Sequence, residues 1–156
     1  MHLRDVMSAP PVTCRSTDTA EECARLMKET NRGFLPVVDA AGRLCGAVTD
    51  RDLATRILAV GGAPKEPVGT FATHDVVACR PDDELWVAEE ALARERKSRL
   101  VVAERGFPIG VVSLADLAQV LDPPRFSQLY VAVTQRESTR ILASGARAGG
   151  DVTFLV

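Results

Sequence analysis

Gly46-Ala47-Val48-Thr49-Asp50-Arg51-Asp52-Leu53 reads as a buried strand that turns directly into a helix. Gly46 and Ala47 are small where the backbone needs room. Thr49 stands where a helix N-cap belongs, with Asp52 three residues on. In such a Thr-x-x-Asp box the hydroxyl and the carboxylate each accept from an orphan backbone N–H of the first turn. The pattern returns 64 residues later as Gly110-Val111-Val112-Ser113-Leu114-Ala115-Asp116-Leu117. One such turn is ordinary. Two at matched positions are an internal repeat.

Working outward from the first copy, Phe34 to Asp39 is a strand too apolar to have a wet face, and Ala40 to Arg43 is a turn. Leu44 to Val48 returns as its hairpin partner. Upstream, Asp18 or Thr19 caps a helix to about Lys28, with Ala20, Cys23, Ala24 and Met27 at the spacing of one buried face. Asn31-Arg32-Gly33 ends it. Before that helix, Ala9-Pro10-Pro11 forces an extended chain into a short strand at Val12-Thr13-Cys14, and Arg4 to Met7 forms an amphipathic turn. Downstream, a helix from Asp50 runs through Leu53, Ile57 and Leu58 to Gly61-Gly62. Gly61 to Pro67 is a linker by composition.

The same order then restarts. Val76 to Arg80 matches Pro11 to Arg15 at an offset of 65, and Asp82 or Asp83 caps a helix carrying Leu85, Ala88 and Leu92. Beyond that helix the offset becomes 64, which places the lost residue between helix and strand. Leu100 to Val102 is a strand, Glu104-Arg105-Gly106 a turn, and Ile109 to Val112 the returning strand. Leu114 to Leu121 is the last helix of the repeat, ended by Pro123-Pro124. The division is a first domain at 3–62, a second at 68–122, and an extension at 123–156. In the extension, Leu129 to Thr134 and Val152 to Val156 read as strands, with a short helix from Arg136 to about Ser144.

Composition excludes several classes. An apolar share of 46% with 26% charged residues is that of a globular chain. A net charge of −2 and an aromatic share of 4% argue against a nucleic-acid surface, which needs a clustered basic face and stacking platforms. No run reaches the length of a membrane span, and no apolar leader follows Met1, so a cytoplasmic protein is expected. Cys14, Cys23, Cys45 and Cys79 lack the close spacing of a metal cluster and read as free thiols; no metal and no cofactor is expected.

Val6-Met7, Leu35-Pro36-Val37-Val38-Asp39 and Gly46-x-Val48-Thr49-x-x-Asp52 resemble a cystathionine β-synthase (CBS) domain. The second copy, ending in Gly110-x-Val112-Ser113-x-x-Asp116, resembles its partner, so the two together resemble a Bateman module over about residues 3–122. The resemblance implies an α/β (α+β) fold: two small sheets packed about a pseudo-twofold, flanked by helices, with two clefts between the halves. It also implies that the clefts hold adenosine-containing ligands such as AMP, ADP, ATP or S-adenosylmethionine, without catalysis.

The chemistry of the residues agrees with that implication. A carboxylate accepts two charge-assisted hydrogen bonds from a ribose diol, and a hydroxyl at a helix N-terminus suits a phosphate. Thr49 with Asp52, and Ser113 with Asp116, put both devices on one first turn, with Arg51 as a further cation; the plainer reading is that each pair only caps its helix. The family builds the remaining walls from the first strand and the entry to the second. That assigns Val12, Thr13, Gly33, Phe34, Leu35 and Pro36 to the first site, and Val77, Ala78, Ser98, Arg99, Leu100 and Val101 to the second. The second copy departs from the pattern where Arg99-Leu100 stand in place of Leu35-Pro36, and it lacks an arginine at Leu114-Ala115.

The expected function is therefore a regulatory or sensor module that binds an adenine nucleotide. The alternative is a structural or protein-interaction module with vestigial clefts and a partner-binding extension. A homodimer is expected, because Met27, Leu53, Leu92 and Leu117 are more apolar helix positions than a thin two-sheet core needs. Cys14 and Cys79 hold equivalent positions, which leaves metal sensing together with His74 as a minor reading.

Overall fold

The computed structural model of the protein describes residues 1–145, with side chains described through residue 135. Two three-stranded sheets of the same build appear in it. In the first, β1 (Cys14–Arg15) runs parallel to β2 (Phe34–Val38), which pairs antiparallel with β3 (Leu44–Thr49). In the second, β4 (Ala78–Cys79) lies parallel to β5 (Arg99–Glu104), which pairs antiparallel with β6 (Phe107–Ser113). β1 and β4 are two residues long, shorter than the sequence suggests, although the Val77 carbonyl just before β4 still accepts from Val101 N–H at 3.1 Å.

Helix α1 (Ala20–Thr30) opens with a complete capping box: the Thr19 hydroxyl accepts from Glu22 N–H at 3.2 Å, and the Glu22 carboxylate accepts from Thr19 N–H at 2.7 Å. Asn31, in the left-handed conformation, ends it. Helix α3 (Leu85–Glu95) corrects an expectation. Its N-cap is Glu84, which makes no side-chain cap, and neither Asp82 nor Asp83 caps it. Asp83 instead accepts from Arg80 N–H at 2.7 Å, as Asp18 accepts from Arg15 N–H at 2.7 Å. Those carboxylates hold the turn before each helix. The expected helix at Asp50 begins as α2 (Asp50–Asp52) but continues as a π turn at Leu53–Ile57 and a 3-10 turn at Leu58–Val60. The Leu58 N–H is shared between the Leu53 and Ala54 carbonyls, and Gly61 stops the run as expected.

The strand registers move the lost residue. Leu35 pairs with Val48 and Leu100 with Val112, so the 65-residue offset persists through β5. It falls to 64 only in the hairpin turn. The first turn is held by Asp39, whose carboxylate accepts from Ala41 and Arg43 N–H groups at 2.9 Å each. The second is a tight loop at Arg105-Gly106, both with positive φ, as a two-residue hairpin twisted to match its strands requires. Arg99 is therefore the counterpart of Phe34, Leu100 of Leu35, and Val101 of Pro36.

Each sheet is completed by the other copy's leader. Leu3, in a 3-10 turn at Leu3–Asp5, is wholly buried in the second core with Leu85, Leu92, Leu100 and Leu117, and Val6 and Met7 pack beside it. Val68, in the equivalent turn at Val68–Thr70, is wholly buried in the first core with Cys23, Leu35 and Val48. The backbone repeats the exchange: Leu3 N–H bonds Asp83 O at 2.9 Å, and Val68 N–H bonds Asp18 O at 2.7 Å. Ser8 pairs with Val111 just as Thr73 pairs with Ala47. Close packing explains the small residue at Gly46, where an added Cβ would sit 3.1 Å from the Thr73 carbonyl.

After α4 (Leu114–Leu117) the chain does not stop at Pro123-Pro124 but begins helix α5 (Pro123–Gly145) there. A proline in the first turn has no hydrogen bond to lose and a φ already suited to a helix. The strand expected at Leu129 to Thr134 is part of this helix. Leu129 and Val133, four residues apart, are buried in the second core and Phe126 packs against it, a helical spacing that outweighs the β-branched run around Val131. The helix expected from Arg136 to about Ser144 is its continuation, and Val152 to Val156 lie outside the described residues. Arg125 grips Glu89 of α3 with two hydrogen bonds of 2.8 Å.

The apolar positions taken to require a dimer are used within the chain. Met27, Leu92 and Leu117 are buried, and Leu53 packs against the first core. The large apolar side chains that face outward are others, including Leu58, Val60, Trp86, Tyr130 and Val131.

Candidate functional site

Both Thr/Ser-x-x-Asp turns form the boxes that their sequence implies. The Asp52 Oδ2 accepts from Thr49 N–H and from the Thr49 hydroxyl at 2.9 Å each, and Asp52 N–H donates to Thr49 Oγ1 at 3.1 Å. In the second copy the Asp116 Oδ2 accepts from Ser113 N–H at 2.8 Å and from its hydroxyl at 2.6 Å. Capping thus occupies one oxygen of each carboxylate. A carboxylate has about four acceptor directions, so the second oxygen keeps capacity for a ligand. In the first copy that oxygen, Asp52 Oδ1, lies 3.4 Å from Arg56 Nε, while Arg56 Nη1 donates to Phe71 O at 2.6 Å. Val120 occupies the position equivalent to Arg56, so the second box lacks this partner.

Each box opens onto a cleft, and the clefts are crossed between the copies. Thr49, Arg51, Asp52 and Arg56 share a cleft of about 460 Å³ with Thr73, Val76, Val77, Lys97 and Arg99 of the second copy. Ser113 and Asp116 share a smaller cleft, about 250 Å³, with Pro10, Val12, Arg32, Gly33 and Phe34 of the first. Phe34 and Arg99 line both. This corrects the expected grouping: Val12 and Gly33 belong with Ser113 and Asp116, Val77 belongs with Thr49 and Asp52, and Phe34 and Arg99 are shared by the two sites. The pseudo-twofold brings the approach strand of one copy against the helix N-terminus of the other.

Other expected wall residues lie outside the clefts. Leu35, Pro36, Leu100 and Val101 are buried in the sheets, where they support the floor. Thr13, Ala78 and Ser98 line neither cleft. Gly33 also has a packing duty, since a Cβ there would meet the Asp50 carboxylate at 2.6 Å.

Arg56, Lys97, Thr73 and Asp75 in the larger cleft, and Asn31 and Arg32 in the smaller, escaped sequence reasoning. Arg56 was within reach of it, one helical turn beyond Asp52. The others follow only from knowing which copy faces which. The larger cleft sets four cations (Arg51, Arg56, Lys97, Arg99) against Asp52 and Asp75, a field that favours an anionic ligand. The smaller sets Arg32 and Arg99 against Asp116.

Among the described residues no group of three or more His, Cys, Asp or Glu side chains could hold a metal ion. Cys14 and Cys79 lie in separate cores, and His74 Nδ1 is 3.2 Å from the Cys45 carbonyl. Burial and the neighbouring Asp83 push the Cys79 thiol up to about 11, and the hydrogen bond with the Cys23 thiol, together with burial, raises Cys14. No helix among the described residues is long and apolar enough to cross a membrane.

Comparison with known proteins agrees with this architecture. The family model for the CBS domain matches twice, at residues 3–59 and 68–123. The CBS domain-containing protein YhcV of Bacillus subtilis (strain 168) is 34% identical over 116 residues, covering 74% of this chain and 82% of its own. The A-adding tRNA nucleotidyltransferase of Aquifex aeolicus (strain VF5) is 26% identical over 121 residues, 78% of this chain but only 14% of the enzyme. Among solved structures, Hypoxic Response Protein I with two coordinated zinc ions superposes with a TM-score of 0.72 at 26% identity, covering 78% of this chain and 100% of its own. The CBS domain pair of protein MJ0100, in complex with 5′-methylthioadenosine and S-adenosyl-L-methionine, superposes with a TM-score of 0.70 at 25% identity, covering 77% and 94%.

Proposed function

We propose, from the premise that this chain belongs to the CBS domain family and carries the domain twice, that it is a regulatory module whose clefts bind an adenine nucleotide or related adenosyl ligand. The observation that carries the reading is the Asp52 cleft. It joins a helix N-terminus, a carboxylate with a spare oxygen and an excess of cations in a space of about 460 Å³, within the usual range for small-ligand sites. Thr49 and the N-terminal amides of α2 receive the phosphate, Asp52 the ribose hydroxyls, and Val76, Val77 and Phe34 the base. Because each cleft has walls from both copies, bound ligand favours the arrangement in which the halves stand at the right separation, and that shift in population is the signal. The 5′-methylthioadenosine and S-adenosyl-L-methionine held by the MJ0100 pair support the choice of ligand class.

The protein acts in the cytoplasm by association with a target rather than as an enzyme. It does so as a homodimer that covers outward-facing apolar side chains such as Trp86 and Tyr130, rather than the helix positions buried within the chain. Free thiols at all four cysteines suit a reducing compartment. Thermal melting with AMP, ADP, ATP, S-adenosylmethionine, 5′-methylthioadenosine and NADH tests the reading. A ligand present at a hundred times its Kd stabilises by about 2.7 kcal/mol, which at this chain length raises Tm by several degrees. Unchanged melting with every compound at millimolar concentration removes the proposal and leaves a protein-interaction module.

A further inference from the structure

We infer that Arg99 couples the two clefts, so that an anionic ligand in one weakens the binding of an anionic ligand in the other; the inference rests on the nucleotide reading of those clefts. Arg99 lies at the start of β5, paired with Ser113 across the ladder, and lines both cavities. Its side chain is exposed, and among the described residues no carboxylate pairs with it. A guanidinium that meets one phosphate in a bidentate grip commits two of its five donors and much of its charge there, so Arg99 serves a second phosphate less well than the first.

Each cleft also has a cation of its own at equivalent positions, Lys97 in the Asp52 cleft and Arg32 in the Asp116 cleft. Arg99 is the contested one. Its counterpart Phe34, which lines both cavities as well, carries no charge and cannot stand in for it. Ligand phosphate in the Asp52 cleft draws Arg99 to that side and leaves the Asp116 cleft with Arg32 alone. Linkage makes the effect reciprocal.

Calorimetric titration with AMP, and with 5′-methylthioadenosine as a probe lacking phosphate, tests this on the full chain. Asp52→Ala disables one cleft, so the Asp116 cleft is then measured with its neighbour empty. AMP is expected to bind it about fivefold or more tightly than in the second step of the unaltered protein, a size typical of coupling between sites. 5′-Methylthioadenosine shows no such gap. Adding Arg99→Gln abolishes the AMP gap.

Arg99→Gln alone, at an exposed position, supplies a second measurement: its two AMP steps lie closer together, while the ratio between its two 5′-methylthioadenosine steps stays that of the unaltered protein. An AMP gap that persists in Arg99→Gln, or that equals the gap for the uncharged ligand, overturns the coupling. Two independent AMP sites in the unaltered protein overturn it while the nucleotide reading stands. Complete failure of AMP and the other nucleotides to bind removes both.

Discussion

Leu3 and Val68 have exchanged cores: each lies 65 residues from the other in sequence, and each is wholly buried beneath the sheet of the opposite copy. Neither copy closes its core without a segment that precedes the other. Leu3→Ala therefore destabilises the second half although the residue opens the chain. A buried Leu→Ala change costs about 2–5 kcal/mol, or a Tm decrease of roughly 5–15 °C at this length. Leu58→Ala, on an exposed side chain, stays within about 0.5 kcal/mol. Melting curves of the two variants check the pair.

Asp52→Ala removes a cap and, on the nucleotide reading, a ribose anchor. The cap alone is worth about 0.5–2 kcal/mol of stability. Loss of hydrogen bonds to a charged acceptor adds a fall in AMP affinity of more than tenfold, at about 1.4 kcal/mol per decade. Asp116→Ala loses an equivalent cap but has the smaller effect on binding, because its cleft is smaller and less cationic. Calorimetry beside melting curves separates the two contributions. Unchanged affinity in a folded Asp52→Ala protein identifies Asp52 as a cap only.

Helix α5 stabilises through its apolar face more than through its ion pair. Arg125→Ala breaks a two-bond contact with Glu89 whose arginine is half-exposed, and the expected loss is below about 1 kcal/mol. Leu129→Ala empties a core position and costs about 2–4 kcal/mol. Urea unfolding of both variants orders the two effects, and the reverse order contradicts this account.

Acid weakens the start of α1. Backbone and hydroxyl hydrogen bonds from Thr19 hold the Glu22 carboxyl below its usual value, and Lys65 does the same for Glu21. A depressed folded-state value means stability that is complete above the unfolded-state value near 4.5 and is lost as pH falls through the folded one. Tm is expected to decline below about pH 4.5, and to decline less steeply in Glu22→Gln. Identical slopes for the two proteins count against the capping box as an acid-sensitive element.

Much of this architecture was legible because strand, turn and cap residues recur in one order. Gly46, Thr49 and Asp52, with Gly110, Ser113 and Asp116, located both helix N-termini. Two kinds of information were not legible. A period tells which residues are equivalent, not which copy they face, so Val12 was grouped with Asp52 when it stands beside Asp116. An offset measured on apolar runs cannot place a one-residue loss either. Only the ladder, with Leu100 opposite Val112, shows that the hairpin turn absorbed it. The helix at Leu129 was missed because Tyr130, Val131 and Val133 favour strands locally, while its buried face is defined by contacts with α3.

Pro123-Pro124 and the helix they begin have no counterpart after the first copy, where the chain passes instead through Gly61-Gly62 into a linker. A body with true twofold symmetry offers any target the same face twice and so cannot distinguish one way round from the other. Helix α5 marks one end. It gives the chain a front and a back, so a partner that meets one end meets a surface the other end does not repeat.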